Sequence, residues 1–214
     1  MILKYARQVL VLAAIYIAPA ACLGQSLDEF FKAVNAGDTK TVAGFLDLGL
    51  DPNTTDREGH TVLMTAARLG HRELVDLLVA RKASVVRRSP KGDTALMFAS
   101  LKGHVGIAEL LLRHGAQVNH DGWTPLHYAA FEGRVEVIRF LLGKGAEIDA
   151  RAPNGYTALM LAVRGGHLEA ARQLLYADPD LTARGQDGET ALAIAKGRKA
   201  EELVKLLQRA GAVE

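Results

Sequence analysis

Cysteine is almost absent from this sequence: one residue, Cys22, occurs in 214, and it lies close to the N-terminus. Beyond it no disulfide framework, thiol nucleophile or thiolate-built zinc site can exist. Aromatic residues are also few, 6% of the chain, which is little for filling one large closed core. Net charge is nearly absent too. The formal balance is +2, and once Lys4 and Arg7 are set aside the remaining 24 Lys and Arg equal the 24 Asp and Glu. Global charge therefore supplies no argument for nucleic acid or for an anionic membrane surface as partner. Nor does the sequence contain G-x-S-x-G, H-E-x-x-H, a phosphate-cradling G-x-x-x-x-G-K-[ST] or a dinucleotide fingerprint. Catalysis is left without a constellation to carry it, and no cofactor is expected.

The longest apolar run is short and lies near the start. Lys4 and Arg7 precede Val9 to Ala18, and Ala18-Pro19-Ala20 forms an A-x-A pattern. This is the three-part layout of a secretory signal peptide, and the run falls short of the roughly 20 apolar residues that span a bilayer. Residues 1–24 are predicted to be a cleaved signal and the protein to be exported. A cut just before Cys22 would leave a thiol able to carry lipid, although Pro19 stands where a bacterial lipobox usually has Leu.

What the sequence has in abundance is repetition. Five stretches align: GHTVLMTAARLGH from Gly59, GDTALMFASLKGH from Gly92, GWTPLHYAAFEGR from Gly122, GYTALMLAVRGGH from Gly155 and GETALAIAKGRKA from Gly188. Their leading glycines are 33, 30, 33 and 33 residues apart. A more divergent copy precedes them, with Ala33 and Gly37 falling where Ala66 and Gly70 do. A period of this length is the mark of stacked helix pairs. In each unit Thr is placed to cap a short helix, and Gly70, Gly103, Gly133 or Gly166 to end it in a left-handed conformation. A second helix follows with its own apolar stripe, as in Leu74, Val75, Leu77 and Leu78.

At these residues the chain resembles the ankyrin-repeat family, whose consensus contains T-P-L-H-x-A. Thr124-Pro125-Leu126-His127 is the full match, and Thr94-Ala95-Leu96-Met97 and Thr157-Ala158-Leu159-Met160 are similar to a variant common in bacterial members. The resemblance implies an all-α solenoid of about six stacked helix-turn-helix units joined by extended, β-hairpin-like fingers. The units are expected at about 27–58, 59–91, 92–121, 122–154, 155–187 and 188–214, within a repeat domain at 25–214. Lys82, Asp178 and Lys199 stand where the pattern wants a turn glycine, and three residues are missing between Gly115 and Gly122, so the finger at 117–121 should be blunt. Polar residues on the last helix (Glu201, Glu202, Lys205, Gln208) suit a terminal cap.

The resemblance also implies function: such proteins bind another protein through a concave face of finger tips and first helices. The candidates there are Leu101, Trp123, Phe131 and Tyr156, with Arg68, Lys102 and Arg164 as a polar rim. Trp123 or Tyr156 could instead pack against the next finger. A second candidate is the cationic stretch holding Arg87 and Arg88, suited to an acidic partner or an anionic lipid or polymer. The expectation is a monomeric, non-catalytic binding module in a bacterial periplasm, or tethered at the outer membrane through Cys22. It would act as adaptor, as protective factor (certain bacterial members are thought to support haem catalases or peroxide defence), or as inhibitor or immunity protein. The competing readings are a haem or metal carrier or enzyme built on His60, His114 and His120, and a purely structural spacer. His71, His104, His127 and His167 belong to the repeat pattern, where hydrogen bonding within or between units explains them.

Overall fold

The computed structural model describes residues 20–213. The region expected to carry the export signal, with Lys4, Arg7 and the run from Val9 to Ala18, lies outside the described residues. Among those described there are twelve α-helices and no strand, apart from one isolated bridge between Thr55 and Thr61. The fold is an all-α repeat solenoid, and the described residues divide into two compact units, the first ending at Ser84 and the second starting at Val85.

The first unit holds α1 (Ala20–Ala36), α2 (Thr39–Asp47), α3 (Val62–Leu69) and α4 (Arg72–Ala80). The second holds α5 (Ala95–Lys102), α6 (Val105–Arg113), α7 (Pro125–Phe131), α8 (Val135–Gly143), α9 (Ala158–Gly165), α10 (Leu168–Leu175), α11 (Ala191–Gly197) and α12 (Glu201–Arg209). Within the second unit the first helices of successive repeats pack on one another, α5 on α7, α7 on α9 and α9 on α11, while α6, α8, α10 and α12 form a second layer. Helices of seven to nine residues are too short to persist alone in water, so packing between repeats must hold them.

Local chemistry starts and stops each helix. Thr61, Thr94, Thr124, Thr157 and Thr190 each precede a first helix with extended backbone, and their side chains accept from the amide three residues on. Such a cap is worth about 1 kcal/mol. At the far end the chain reverses through a residue of positive φ, such as Gly70 (83°), Gly103 (85°), Gly133 (66°) and Gly166 (77°). The amide just after it bonds to an alanine carbonyl: His71 to Ala66, His104 to Ala99, Arg134 to Ala129, His167 to Ala162 and Ala200 to Ala195, at 2.8–3.1 Å. These alanines are fully buried, and a larger side chain there would hold neighbouring helices apart.

The three non-glycine residues at turn positions adopt the conformation the repeat demands, with φ of 64° at Lys82, 52° at Asp178 and 57° at Lys199. In the fingers, turns with one shared register recur. The amides of Asp56, Ser89, Ala152 and Gly185 bond to the carbonyls of His60, Asp93, Tyr156 and Glu189, and a glycine at 59, 92, 155 or 188 closes each turn. These are tight hairpin turns without extended strands. The shortened finger at 117–121 closes differently, with His120 Nδ1 3.1 Å from the Asp121 carbonyl. Asparagine side chains tie one finger to the next: Asn53 accepts from the Ser84 amide at 2.7 Å and Asn119 from that of Glu147 at 2.9 Å. Asn53 thus has a structural role.

Two substitutions should move stability in opposite directions. Lys199→Gly removes a left-handed penalty of about 0.5–1 kcal/mol and is expected to raise the urea midpoint. Gly133→Ala combines that penalty with a Cβ 2.6 Å from the His167 ring, so it should lower the midpoint by more than Lys199→Gly raises it.

Candidate protein-interaction surface

In the second unit, α5, α7 and the finger before α7 bring Leu101, Trp123, His127, Tyr128 and Phe131 around a shallow pocket of about 230 Å³. Three of these were expected on a binding face; His127 and Tyr128 join them. Leu101 and Phe131 occupy equivalent places, each two residues before the glycine that ends the first helix. That position points away from the stack, and Phe131 is 53% exposed. Trp123 is half-buried, its ring edge-on to His127 at 5.8 Å and to Tyr128 at 6.2 Å.

The polar side-chain atoms of His127 and Tyr128 are already engaged. His127 is buried. Its Nδ1 accepts from the Thr124 amide at 3.0 Å, and its Nε2 lies 3.0 Å from the Ala150 carbonyl of the following finger. A ring that accepts at Nδ1 and donates at Nε2 is the neutral tautomer. Desolvation lowers its pKa from 6.5 to about 4. The Tyr128 hydroxyl donates to buried Asp93, whose carboxylate also accepts from Ser89 at 3.0 Å. Burial together with this bond raises the Tyr128 pKa above its ordinary value. What faces outward is hydrocarbon and ring.

Tyr156 departs from the expectation of an exposed contact. Only 3% of its surface is accessible. Its hydroxyl donates to Asp187 at 2.6 Å, Arg164 lies over its ring at 5.4 Å, and the ring covers Gly185, where a Cβ would be 2.5 Å from it. The bond raises the phenol's pKa and lowers that of the carboxylate. Tyr156 therefore packs against the next finger, the alternative its position left open. The reason is the full-length finger at 184–189, which reaches back far enough to meet it.

The remaining candidates are dispersed. Lys102 is exposed at the end of α5, and Arg164 is exposed on α9. Arg68 belongs to the first unit, half-buried at the end of α3. Arg87 and Arg88 are exposed beside Val86, which is 52% accessible. His60 departs from a surface placement: it is buried, with Nδ1 3.5 Å from both Asp56 and Glu58. His114 is exposed, and His120 is half-buried, its pKa lowered first by burial and then by Arg88. Among the described residues no group of three or more His, Cys, Asp or Glu is arranged to hold a metal ion.

Two other histidines of the repeat tie one repeat to the one before it. His71 Nε2 lies 2.9 Å from the Asn35 carbonyl and His167 Nε2 2.9 Å from that of Phe131; at the equivalent position of the repeat starting at Gly122, Arg134 donates to the Leu101 carbonyl at 3.0 Å.

Comparison with known proteins accords with this architecture. Three overlapping copies of the family model for ankyrin repeats match residues 30–120, 82–152 and 149–213. The chain belongs to the ankyrin-repeat family. Similar stretches occur in Protein fem-1 homolog A-like of Mus musculus (44% identical, over 36% of this chain and 12% of that protein). They occur also in the Ankyrin repeat and KH domain-containing protein mask-1 of Caenorhabditis elegans (40% identical, over 40% and 3%). A third is Serine/threonine-protein kinase 12 of Arabidopsis thaliana (32% identical, over 44% and 21%). The chain thus spans no more than about 21% of the length of any of these relatives. Ankyrin repeats are protein-interaction modules and in general not catalytic, and the kinase name belongs to a protein matched over only part of its length.

The state of His127 makes acid a test of the site. Its folded-state pKa lies below the unfolded value, so it favours folding fully above pH 6.5, and that support falls away as pH drops towards 4. The loss should reach on the order of 3 kcal/mol. Urea midpoints of wild type and His127→Gln, followed from pH 7 to 4, should converge in acid; parallel curves would contradict the assignment.

Proposed function

We propose that this chain is an exported binding module that holds one folded protein partner through the pocket formed by Leu101, Trp123 and Phe131. The observation that carries the reading is an open apolar pocket in which the polar atoms of His127 and Tyr128 are satisfied from within. Leu101, Trp123 and Phe131 line one contiguous apolar depression, and contiguous exposed apolar patches mark interaction sites. Interfaces also concentrate their energy in a few such residues. A stiff stack of short helices presents the pocket with little ordering to be done on binding.

Export rests on the layout of residues 1–24, with Lys4 and Arg7 ahead of the apolar run. The place of action is then a bacterial periplasm, with an outer-membrane tether as the alternative if Cys22 is lipidated. Adaptor, protective factor for a peroxide-defence enzyme, and inhibitor or immunity protein are roles one surface can serve. A monomer is the working state. No helix among the described residues is long and apolar enough to cross a membrane. The haem or metal reading is the less supported one, since His60 is buried against two carboxylates while His114 is exposed.

Crosslinking in the intact host cell, followed by identification of the attached protein, tests the binding reading. A Leu101→Ala, Phe131→Ala chain of unchanged urea midpoint should lose the crosslink, while Arg87→Glu, Arg88→Glu should keep it. Loss only in the arginine variant would move the site to that finger. Mass spectrometry of the mature chain should place its first residue between positions 20 and 25, and a chain still beginning at Met1 would end the export reading.

A further inference from the structure

The pocket's dimensions and surrounding charges narrow the kind of partner it fits. At about 230 Å³ it is smaller than the roughly 300–1,000 Å³ of ordinary small-molecule sites, and it matches a single large side chain. Its lining offers few hydrogen bonds. His127 Nδ1 and Nε2 have partners in Thr124 and Ala150, and the Tyr128 hydroxyl is held by Asp93. An occupant that needed polar recognition inside the pocket would lose its hydration there without replacement, so the buried part of the occupant must be apolar or aromatic.

The charges around the pocket are not balanced in effect. Glu132, next to Phe131, is engaged by Arg134 at 3.4 Å. Asp93 is buried, holding Tyr128 and Ser89. At the finger, Arg88 and Asp121 act in opposite directions on His120. By contrast Lys102 is exposed immediately after Leu101. Arg164, exposed too, holds the position in the next first helix that Leu101 and Phe131 hold in theirs, though it lies over Tyr156 and within the field of Asp187. Glu132 and Asp93 are thus engaged, Asp121 stays exposed at the finger and Asp187 and Glu189 lie beside Arg164, so the exposed charge directly adjoining Leu101 is that of Lys102.

Resting on the binding role proposed above, we infer that the partner offers one aromatic or large aliphatic anchor flanked by carboxylates. The anchor enters between Leu101, Trp123 and Phe131, and the carboxylates meet Lys102 and Arg164. Burial of the anchor gives most of the affinity, and the carboxylates set orientation and association rate.

The test is a selection from a phage-displayed library of random linear peptides on the full chain. Enriched peptides are then synthesised and their affinities measured at low and high salt. The expected winners carry Trp, Phe, Tyr or Leu beside Asp or Glu. Phe131→Ala and, independently, Leu101→Ser should weaken them about tenfold or more, with circular dichroism unchanged. Lys102→Glu should weaken them several-fold, and raised salt should act in the same direction. Winners bound undiminished by both pocket variants would overturn the binding site itself. Winners that need Phe131 but carry neutral or basic flanks, unaffected by Lys102→Glu, would overturn this inference and leave the proposed site standing. A library in which nothing is enriched would overturn the single-anchor inference.

Discussion

Two short helices can be joined by a single reversing step only if one residue turns the chain with positive φ and a very small side chain lies beneath it. The alanines at 66, 99, 129, 162 and 195 meet the second condition, and each receives on its carbonyl the amide that follows the turn. Everything else hangs on this joint. It sets how closely first helices approach one another, and so which residues are hidden. It also fixes the position two residues earlier, where the side chain must leave the stack while its carbonyl stays available. His167 and Arg134 use those carbonyls at Phe131 and Leu101, so the joint that holds the repeats together also aims the two side chains of the pocket outward.

The fold was legible because it is written several times over. A threonine cap, an alanine, a turn residue and an apolar stripe recur in phase, and agreement between copies overrides ambiguity in any one of them. Even the exceptions could be read: Lys82, Asp178 and Lys199 take up left-handed conformations because the repeat requires them, not because their side chains favour them. The division at residue 84 had no such sign in the sequence, since the pattern runs across it.

The site was legible only in part. Leu101 and Phe131 stood out because they share one place in the repeat, two residues before the turn glycine, where two other copies carry Arg68 and Arg164. Tyr156 could not be judged the same way. Whether an aromatic after the leading glycine is free or covered depends on how far the next finger reaches, and that is a property of the neighbouring unit. Tyr128 escaped notice because its equivalents at Phe98, Leu161 and Ile194 are buried; only the pairing with Asp93, a repeat away, draws its hydroxyl aside. The histidines show the same division. His71, His127 and His167 bond across repeats as the pattern implies, whereas His60 is buried by its own finger, through Asp56 and Glu58.

Trp123 is the chain's single tryptophan, and it stands edge-on to the neutral ring of His127. The protein's indole emission therefore originates at one known place, beside the pocket. Water entering there, an aromatic guest arriving, or a charge appearing on the neighbouring imidazole would each alter the colour or yield of that light. The molecule carries its own optical reporter at the surface where a partner would dock, with no label to attach.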